Sequence, residues 1–556
     1  MSIAIDSKVA ASRGITKEQR RILIASSLGT VFEWYDFILF GSLAPIIASK
    51  FFSALPPDIA FVFALLAFSA AYAVRPLGAI IFGRIGDIVG RKNTFIATVA
   101  VMGTATFLVG ILPTYSTWGI AAPILLLTLR FAQGVSLGGE SGGAATYVSE
   151  FAPLDQRGYF TSWIQCMAPG GVLLSLIVVV GSRFYLGEAA FAEWGWRSPF
   201  LLSLILLVIS VWIRSTLNES PIFKKMKAEG KTSKAPLKEA FGSWKKVKLA
   251  IVVFLFVAGT SVVSTVGLVY GLLFLIQTLK MPALTVNILV GLAIAISLPF
   301  YPLMGRLSDR IGRKPLIIAG CVLAAATYFP VVKGLTHFAN PAYERALATA
   351  PVIVVANPKE CSIQFNPTGT ARFLTSCDIA KELLARSGVN YSEVAAPEGS
   401  TAVVKFGSIE IPSFDGRGMQ PDKLKAQVDA MRKAVSDATV KAGYPQQANM
   451  EDANLPMVFL FLVILAMYGV ISFAPVSAVL VELFPTRIRY TAMSLPSHLG
   501  NGWVGGFLTP SVFAMVAASG NIYFGLWYPT FWALFGAIVC LLFVPETKGR
   551  DLENVQ

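Results

Sequence analysis

Gly83-Arg-Ile-Gly-Asp-Ile-Val-Gly-Arg-Lys92 joins two long apolar stretches, and Gly305-Arg-Leu-Ser-Asp-Arg-Ile-Gly-Arg-Lys314 repeats its pattern in the second half of the chain. A second repeat consists of Glu150-Phe-Ala-Pro153 and Glu482-Leu-Phe-Pro485. Two halves related in this way are typical of membrane transporters built from parallel repeats. The members of the second repeat are much further apart than those of the first, which indicates an insertion of domain size into one of the halves.

The composition is that of a membrane protein that crosses the bilayer many times. Of the 556 residues, 55% are hydrophobic and 14% are charged, whereas about 25% of the residues of soluble domains are charged. The mean hydropathy is +0.64. This composition excludes almost every class of soluble enzyme.

Twelve stretches are long and apolar enough to span a bilayer, which takes about 20 residues as a helix. We number them segments 1 to 12; they are 22–50, 59–82, 94–113, 120–148, 159–182, 198–216, 248–278, 284–304, 315–335, 455–482, 490–517 and 522–544. Segments 10 and 11 contain Pro475, Pro496 and Pro510. Interrupted helices of this kind are tolerated in transporters.

The net charge of +14 comes largely from Lys and Arg in short loops, and such residues accumulate on the cytoplasmic side of membranes. They precede segment 1, join segments 2 and 3 and segments 8 and 9, and follow segment 6. All these loops share one side if both termini are cytoplasmic. Nucleic-acid binding is not indicated, because the charges are dispersed among apolar stretches.

Residues 336–453 are polar, with twelve Lys and Arg against thirteen Asp and Glu, and the segment count places them outside the cell. The sequence predicts a small α+β domain here, with strands at Val352–Val355, Ser362–Phe365, Ala402–Phe406 and Ser408–Ile411 and helices at Ile379–Arg386 and Asp422–Ala442. Cys361 and Cys377 lie in a compartment expected to be oxidising, which favours a disulfide over two free thiols. The predicted domains are 1–217, the first six-helix bundle; 218–247, a cytoplasmic linker; 248–335, segments 7 to 9; 336–453, the insert; and 454–556, segments 10 to 12 with the tail.

The motifs, taken together, resemble a known family. The two loop repeats and Arg130-Phe-Ala-Gln133-Gly134 are similar to motifs of the major facilitator superfamily, although Ile88 stands where its loop motif more often has Arg. Phe32-Glu-Trp-Tyr-Asp-Phe37, Gly138-Gly-Glu140, Glu150-Phe-Ala-Pro153, Glu482-Leu-Phe-Pro485 and Pro545-Glu-Thr-Lys-Gly549 resemble its metabolite:proton symporter family, whose members carry α-ketoglutarate, shikimate, citrate, or proline and betaine. The resemblance covers 20–335 and 454–550. It implies an all-α polytopic protein of the bacterial inner membrane, with twelve helices in two six-helix bundles. It says nothing about 336–453, where the residues themselves predict the small α+β insert.

Charged residues inside the bilayer are costly and point to function. Glu33 and Asp36 share a face of segment 1, while Arg75 lies in segment 2 and Arg130 in segment 4. We expect Asp36 or Glu33 to carry the proton with Arg130 as its partner, and Arg75 to contact an anionic group of the substrate. The alternative is a set of permanent structural salt bridges.

Glu140 is surrounded by glycines at positions 134, 138, 139, 142 and 143. Their spacing is that of closely packed membrane helices, and a phosphate-binding loop is excluded because no Gly-Lys-Ser/Thr follows. Glu140 is interpreted as a second proton-carrying group or as a capping partner. The sequence leaves both open.

The second half offers fewer candidates. His498 and Asn501 in segment 11 and Tyr270 and Gln277 in segment 7 are predicted to line the substrate site. The alternative for His498 is a hydrogen-bonded helix residue without a role in transport.

The repeated loops are interpreted as a cytoplasmic gate, because the resemblance implies ion pairs that hold this side closed. The predicted gate residues are Gly83, Asp87, Arg91, Glu150, Gly305, Asp309, Arg313 and Glu482. A third, weaker repeat, Glu219-Ser220 and Glu546-Thr547, has nearly the same spacing as the second. The alternative is a pair of solvated turns.

The sequence therefore predicts a proton-coupled importer of a small organic anion, of carboxylate type, that works by alternating access in the lipid bilayer. Its expected partners are that substrate and protons, with no cofactor, no metal and no enzymatic activity, and the partner of the insert stays open. Two rivals remain: a proton-coupled antiporter that exports drugs or metabolites, and a transporter-like sensor that uses the insert as its receptor.

Overall fold

The computed structural model describes residues 16–55, 57–362, 373–387 and 389–552. Each segment of the first half is helical. The helices of segments 1 to 6 are Lys17–Ser42 with Ala44–Phe51, Pro57–Ala73 with Arg75–Ile88, Arg91–Ile111, Ala121–Phe151, Arg157–Leu186 and Ser198–Ser215. The first predicted segment is thus two helices, because Pro45 starts a new one after Leu43.

The second half repeats this arrangement with more interruptions. The helices of segments 7 to 12 are Trp244–Thr265, continued by Val266–Tyr270, Gly271–Leu273 and Phe274–Thr278; Ala283–Ser297 with Phe300–Ile311; Arg313–Ala339; Leu455–Phe473 with Val476–Leu483; Arg489–His498, Leu499–Gly505 and Leu508–Ser519; and Trp527–Phe543. The helix of segment 7 begins at Trp244 and that of segment 9 ends at Ala339, each about one turn beyond the apolar stretch.

Among the described residues, eleven helices are long and apolar enough to cross a membrane. Segment 11 is not one of them, because it is divided into shorter helices, as its prolines indicated. Its middle, Leu499–Gly505, is π-helical. Pro496 removes a backbone donor and Gly500, Gly502 and Gly505 loosen the helix, so the regular hydrogen-bond ladder ends there.

The two six-segment bundles meet at two seams. Segment 2 packs against segment 11, and segment 5 packs against segment 8. Short helices Pro221–Ala228 and Pro236–Phe241 lie in the linker between the bundles. The end of the molecule that carries Asp87 and Asp309 is called the gate face below.

The insert is a four-stranded sheet with helices packed on it. Its strands are β1 (Val352–Ala356), β2 (Tyr391–Ala395), β3 (Val403–Phe406) and β4 (Ile409–Pro412), and its helices are Pro341–Thr349, Pro358–Glu360, Ser376–Ser387 and Pro421–Lys441. The order is β2-β1-β3-β4, with β2 parallel to β1 and the other pairs antiparallel.

The prediction for the insert needs two corrections. Ser362 is not in a strand, and 363–365 lie outside the described residues. Strand β2 and the helix Pro341–Thr349 were not expected. Strand β2 has no apolar alternation, since four of its five residues are exposed.

The insert is bonded to the outer ends of the second bundle. Ala448 donates its backbone N–H to the carbonyl of Lys280 at 3.0 Å, and Tyr391 donates to the carbonyl of Gly520 at 2.8 Å. Its entry and exit are neighbours, because Asn454 donates to Phe338 at 2.8 Å. The core of the insert and the core of this bundle form one continuous apolar cluster.

Cys361 and Cys377 form a disulfide with a Cα–Cα distance of 5.2 Å. The bond joins the end of Pro358–Glu360 to the start of Ser376–Ser387. It therefore closes the loop between these two helices of the insert.

Candidate functional site

Three carboxylate–arginine pairs lie inside the first bundle, along one face of segment 1. Gly29, Glu33 and Asp36 are spaced by four and three positions, so they point in nearly the same direction on the helix. Glu33 and Asp36 are 3% and 1% exposed. Gly29 faces the third pair, whose carboxylate belongs to segment 4.

Of the two carboxylates that the sequence left open as the partner of Arg130, Asp36 pairs with it, at 3.3 Å between Oδ2 and Nη1. Gln133, one helix turn from Arg130, donates to Asp36 Oδ1 at 2.9 Å and accepts from Arg130 Nη1 at 2.9 Å. Arg130 also lies over the ring of Phe40, 4.1 Å from its centroid. Two polar side chains of segment 4 thus hold a buried carboxylate of segment 1.

Glu33 pairs with Arg75 of segment 2, at 3.7 Å between Oε1 and Nη2. Arg130 is therefore not shared by both carboxylates, and Arg75 already has an acidic partner. The Arg75 guanidinium stacks on Tyr72, 4.3 Å from the ring centroid. Tyr72 in turn packs against Gly506 of segment 11, so the pair lies at the seam between the two bundles.

Glu140 pairs with Arg214, at the end of segment 6. It also accepts a hydrogen bond from Thr98 at 2.9 Å. Arg214 lies 3.4 Å from the ring centroid of Phe95 and donates to its carbonyl at 2.7 Å. These contacts tie segments 3, 4 and 6 together and favour a structural role for Glu140.

The Asp36–Arg130 and Glu33–Arg75 pairs have hydrogen-bonding atoms left over. In the part of the chain that the structure describes, Nε and Nη2 of Arg130 and Oε2 of Glu33 are buried and have no hydrogen-bond partner. Unpaired buried donors are costly, because each loses its hydration without compensation. This capacity suits a polar ligand or water.

The predicted residues of the second bundle are only partly brought to this site. The His498 side chain hydrogen-bonds the backbone of Gly138 on segment 4, across the seam. Tyr270 OH and Asn501 Oδ1 are buried atoms with no hydrogen-bond partner among the described residues. Gln277 is exposed at the outer end of segment 7.

The glycine run of segment 4 confirms the expected close packing. A β-carbon at Gly138 would overlap the backbone of segment 2 at Arg75 and Ala79, and one at Gly143 would overlap Tyr490 of segment 11. The Tyr490 hydroxyl donates to the carbonyl of Gly139. Small residues therefore let segments 2 and 11 approach segment 4 on two sides.

At the gate face, each loop aspartate caps a helix of the opposite bundle. Asp309 accepts the backbone N–H groups of Gly158 and Tyr159, both at 2.8 Å, at the start of segment 5. Asp87 accepts the N–H of Thr491 at 2.9 Å, at the start of segment 11. A carboxylate at a helix N-terminus satisfies free N–H groups and interacts favourably with the helix dipole.

The predicted ion pairs of the gate are present beside these caps. Arg91 lies 3.3 Å from Asp87, and Arg313 lies 2.7 Å from Asp309. The loop glycines permit the approach: a β-carbon at Gly83 would lie 2.9 Å from Thr491 Cα, and one at Gly305 would lie 2.5 Å from the Gly158 carbonyl oxygen.

Glu150 and Glu482 each join two arginines. Glu150 lies 3.7 Å from Arg91 and 3.5 Å from Arg489, while Glu482 lies 3.1 Å from both Arg157 and Arg313. The sequence interpretation missed Arg157 and Arg489. Arg157 follows Glu150 at the same interval as Arg489 follows Glu482, and this shared interval is the signal that identifies them.

Glu219 and Glu546 have matching roles in the two halves. Glu219 accepts from the backbone of Arg91 and Lys92, and Glu546 accepts from Arg313 at 3.0 Å and Lys314 at 3.1 Å. Burial raises the pKa of Glu546, but backbone N–H groups of Arg313, Lys548, Lys314 and Thr547 outweigh it and hold the pKa below its ordinary value. The weak third repeat thus marks two helix caps.

Known proteins resemble this chain over most of the helical part. The family model described as "Sugar (and other) transporter" matches residues 22–252 and 436–556. A proline/betaine transporter of Salmonella typhimurium is 36% identical over 322 residues, which are 56% of this chain and 64% of that protein. The alpha-ketoglutarate permease of Escherichia coli is 32% identical over 358 residues, which are 64% of this chain and 80% of the permease.

The fold matches that of a solved transporter. The MFS (major facilitator superfamily) proton:xylose symporter XylE, bound to 6-bromo-6-deoxy-D-glucose, superposes with a TM-score of 0.62 over 98% of this chain and 99% of that chain, at 17% identity. The alignment with the Salmonella relative covers less than two thirds of that protein's length. Because the twelve segments share this fold and the family model matches more than half of the sequence, the chain belongs to the sugar (and other) transporter family.

Proposed function

We propose that the chain is a secondary active transporter that imports a small organic anion together with protons. The observation that carries this proposal is the buried Asp36–Arg130 pair, with the Glu33–Arg75 pair one helix turn away on the same face of segment 1. To couple a proton to an anion, a transporter needs a carboxylate that can take up the proton, a cation that can pair with either the carboxylate or the anion, and a site that excludes bulk water. These residues supply all three.

The charge balance of the pair gives the coupling. Protonation of Asp36 leaves the Arg130 cation without its counter-ion, which is costly in a buried site. An anionic substrate group restores the balance, so proton and anion bind better together than either alone. The empty carrier is balanced as well, because the Asp36–Arg130 pair forms again.

The names of relatives favour a substrate with a carboxylate. They include transporters of proline and betaine, alpha-ketoglutarate and shikimate, and each of these compounds has such a group. In this proposal Arg130 and Arg75 contact the substrate carboxylate after their acidic partners are neutralised, and Tyr270, Asn501 and His498 provide polar groups from the second bundle.

The gate face would be cytoplasmic, with both termini on that side, because the loops there are rich in Lys and Arg. The caps at Asp87 and Asp309 hold the bundles together at this face, and their release would accompany opening to the cytoplasm. Each proton that moves inward gains about 2.3 kcal/mol per 100 mV of membrane potential, which is enough to drive accumulation of a substrate.

Uptake into vesicles with an imposed proton gradient tests the proposal, with a panel of labelled organic acids. Asp36→Asn should abolish proton-driven accumulation and keep counterflow exchange, since the amide mimics the protonated acid. Asp155→Asn, on an exposed loop, is the matched control and should behave as the wild type. Undiminished accumulation by Asp36→Asn would refute its coupling role, and proton-driven export would favour the antiporter.

A further inference from the structure

A basic groove opens between segments 1 and 6 at the gate face. Its volume is about 320 Å³. The residues that line it are Lys17, Arg20, Arg21, Ile24, Trp212, Ile213 and Thr216. None of these residues belongs to the carboxylate–arginine pairs or to the gate.

The cationic side chains of the groove lie on one face of the first helix. Lys17, Arg20, Arg21 and Ile24 follow the spacing i, i+3, i+4, i+7, which places them in one stripe. The three cationic side chains are exposed. Within 16–55, 57–362, 373–387 and 389–552, no carboxylate forms an ion pair with them. Glu18, three positions before Arg21, borders the stripe without pairing with it.

The other wall of the groove is apolar and faces outward from the bundle. Ile24 is 47% exposed and Trp212 is 67% exposed. Exposed apolar side chains at this position contact acyl chains, and Trp is enriched where the headgroup region begins. The groove thus has cations at its outer end and lipid-facing side chains below them.

The floor of the groove is a direct contact between segments 1 and 6. Arg214, between the groove residues Ile213 and Thr216, turns inward, where it pairs with Glu140 and lies 3.4 Å from the carbonyl of Ala25. A ligand in the groove therefore bridges segments 1 and 6 directly behind this buried pair.

We propose that the groove binds one anionic phospholipid of the leaflet at the gate face. The phosphodiester is held by Lys17, Arg20 and Arg21, and an acyl chain lies along Ile24 and Trp212. The choice of a lipid over a free anion follows from the joint presence of cations and a lipid-facing apolar wall. The proposal does not depend on proton coupling.

Native mass spectrometry of the full chain, with phosphatidylglycerol added to a phosphatidylcholine background, tests it. The triple variant Lys17→Gln/Arg20→Gln/Arg21→Gln should lose at least tenfold in affinity for phosphatidylglycerol, since each cation near anionic lipid contributes about fivefold. The matched control Lys224→Gln/Lys227→Gln/Lys234→Gln removes equal charge from the linker and should retain the lipid. Equal loss in both variants, or loss in neither, would overturn the proposal.

Two further measurements distinguish lipid binding in the groove from a general effect of charge. Trp212→Ala keeps every cation and should still weaken lipid retention; wild-type retention by Trp212→Ala would contradict the apolar half of the site. Inorganic phosphate should not displace the lipid, and displacement would show a simple anion site. If the triple variant fails to insert correctly, Arg20→Lys/Arg21→Lys, which keeps the charge, and Trp212→Ala decide the outcome.

Discussion

Gly29 of segment 1 lies so close to Arg214 of segment 6 that a β-carbon at this position would overlap the guanidinium group. The same β-carbon would overlap the Glu140 carboxylate. A buried ion pair is stable only while its geometry is good. The Glu140–Arg214 pair therefore requires glycine at position 29.

Gly29→Ala should destabilise the protein by about 2 kcal/mol, because overpacked interiors typically lose about 1–3 kcal/mol. Thermal unfolding in detergent measures the change. Gly181→Ala is the control, since a β-carbon at Gly181 has no neighbour within 4 Å. If the two variants unfold at the same temperature, the contact with Arg214 carries no packing constraint.

Asp309→Ala should weaken the closed gate. The change removes two backbone acceptors and the partner of Arg313, and one helix cap contributes about 1 kcal/mol. Native Cys166, which is buried and donates to the carbonyl of Leu298 across the seam, should react faster with a maleimide when the bundles separate. The assay uses a Cys321→Ala/Cys540→Ala background, and Asp155→Ala should leave the rate unchanged.

Glu546→Gln should lower stability at neutral pH by about 1 kcal/mol, the usual contribution of a helix cap. The pKa of Glu546 is lower in the folded protein than its ordinary value. Its contribution is therefore complete above the ordinary pKa and is lost as the pH falls through the folded value. The difference in unfolding temperature between wild type and Glu546→Gln should shrink on acidification. Exposed Glu193→Gln should show no such convergence.

Replacement of residues 341–453 by a short Gly-Ser linker should leave the helical part folded. The reason is geometric: the backbones of Phe338 and Asn454 are already hydrogen-bonded at 2.8 Å. The unfolding temperature should fall modestly, because the bonds from Ala448 to Lys280 and from Tyr391 to Gly520 are lost. Fluorescence-detected size-exclusion chromatography measures the fold, and absence of the protein from membranes would contradict the prediction.

The sequence allows the helical segments to be predicted, but not which carboxylate and arginine of the first bundle pair. It left Asp36 and Glu33 open as the partner of Arg130, and the structure pairs Arg130 with Asp36. The partners of Glu33 and Glu140 depend on how segments 2 and 6 are rotated, and hydropathy carries no information on rotation. Arg214 was missed for this reason.

The gate shows a second limit of prediction. The pattern of Asp and Arg indicated ion pairs, which are present, but Asp87 and Asp309 also accept backbone N–H groups of the opposite bundle. Such donors have no side-chain signature. In the insert, strand β1 was predicted because Val352–Val355 is an apolar run, whereas strand β2, with four exposed residues of five, has no such signal.

The anchorage of the insert has a mechanical consequence. Its attachments at Lys280, Phe338 and Gly520 all lie at the ends of segments of the second bundle. If the two bundles rock as proposed, a domain fixed at three points to one of them swings as a lever, which turns a small rotation between the bundles into a larger displacement at its tip. With the proposed orientation, a fluorophore on that tip would report each turnover from outside the cell.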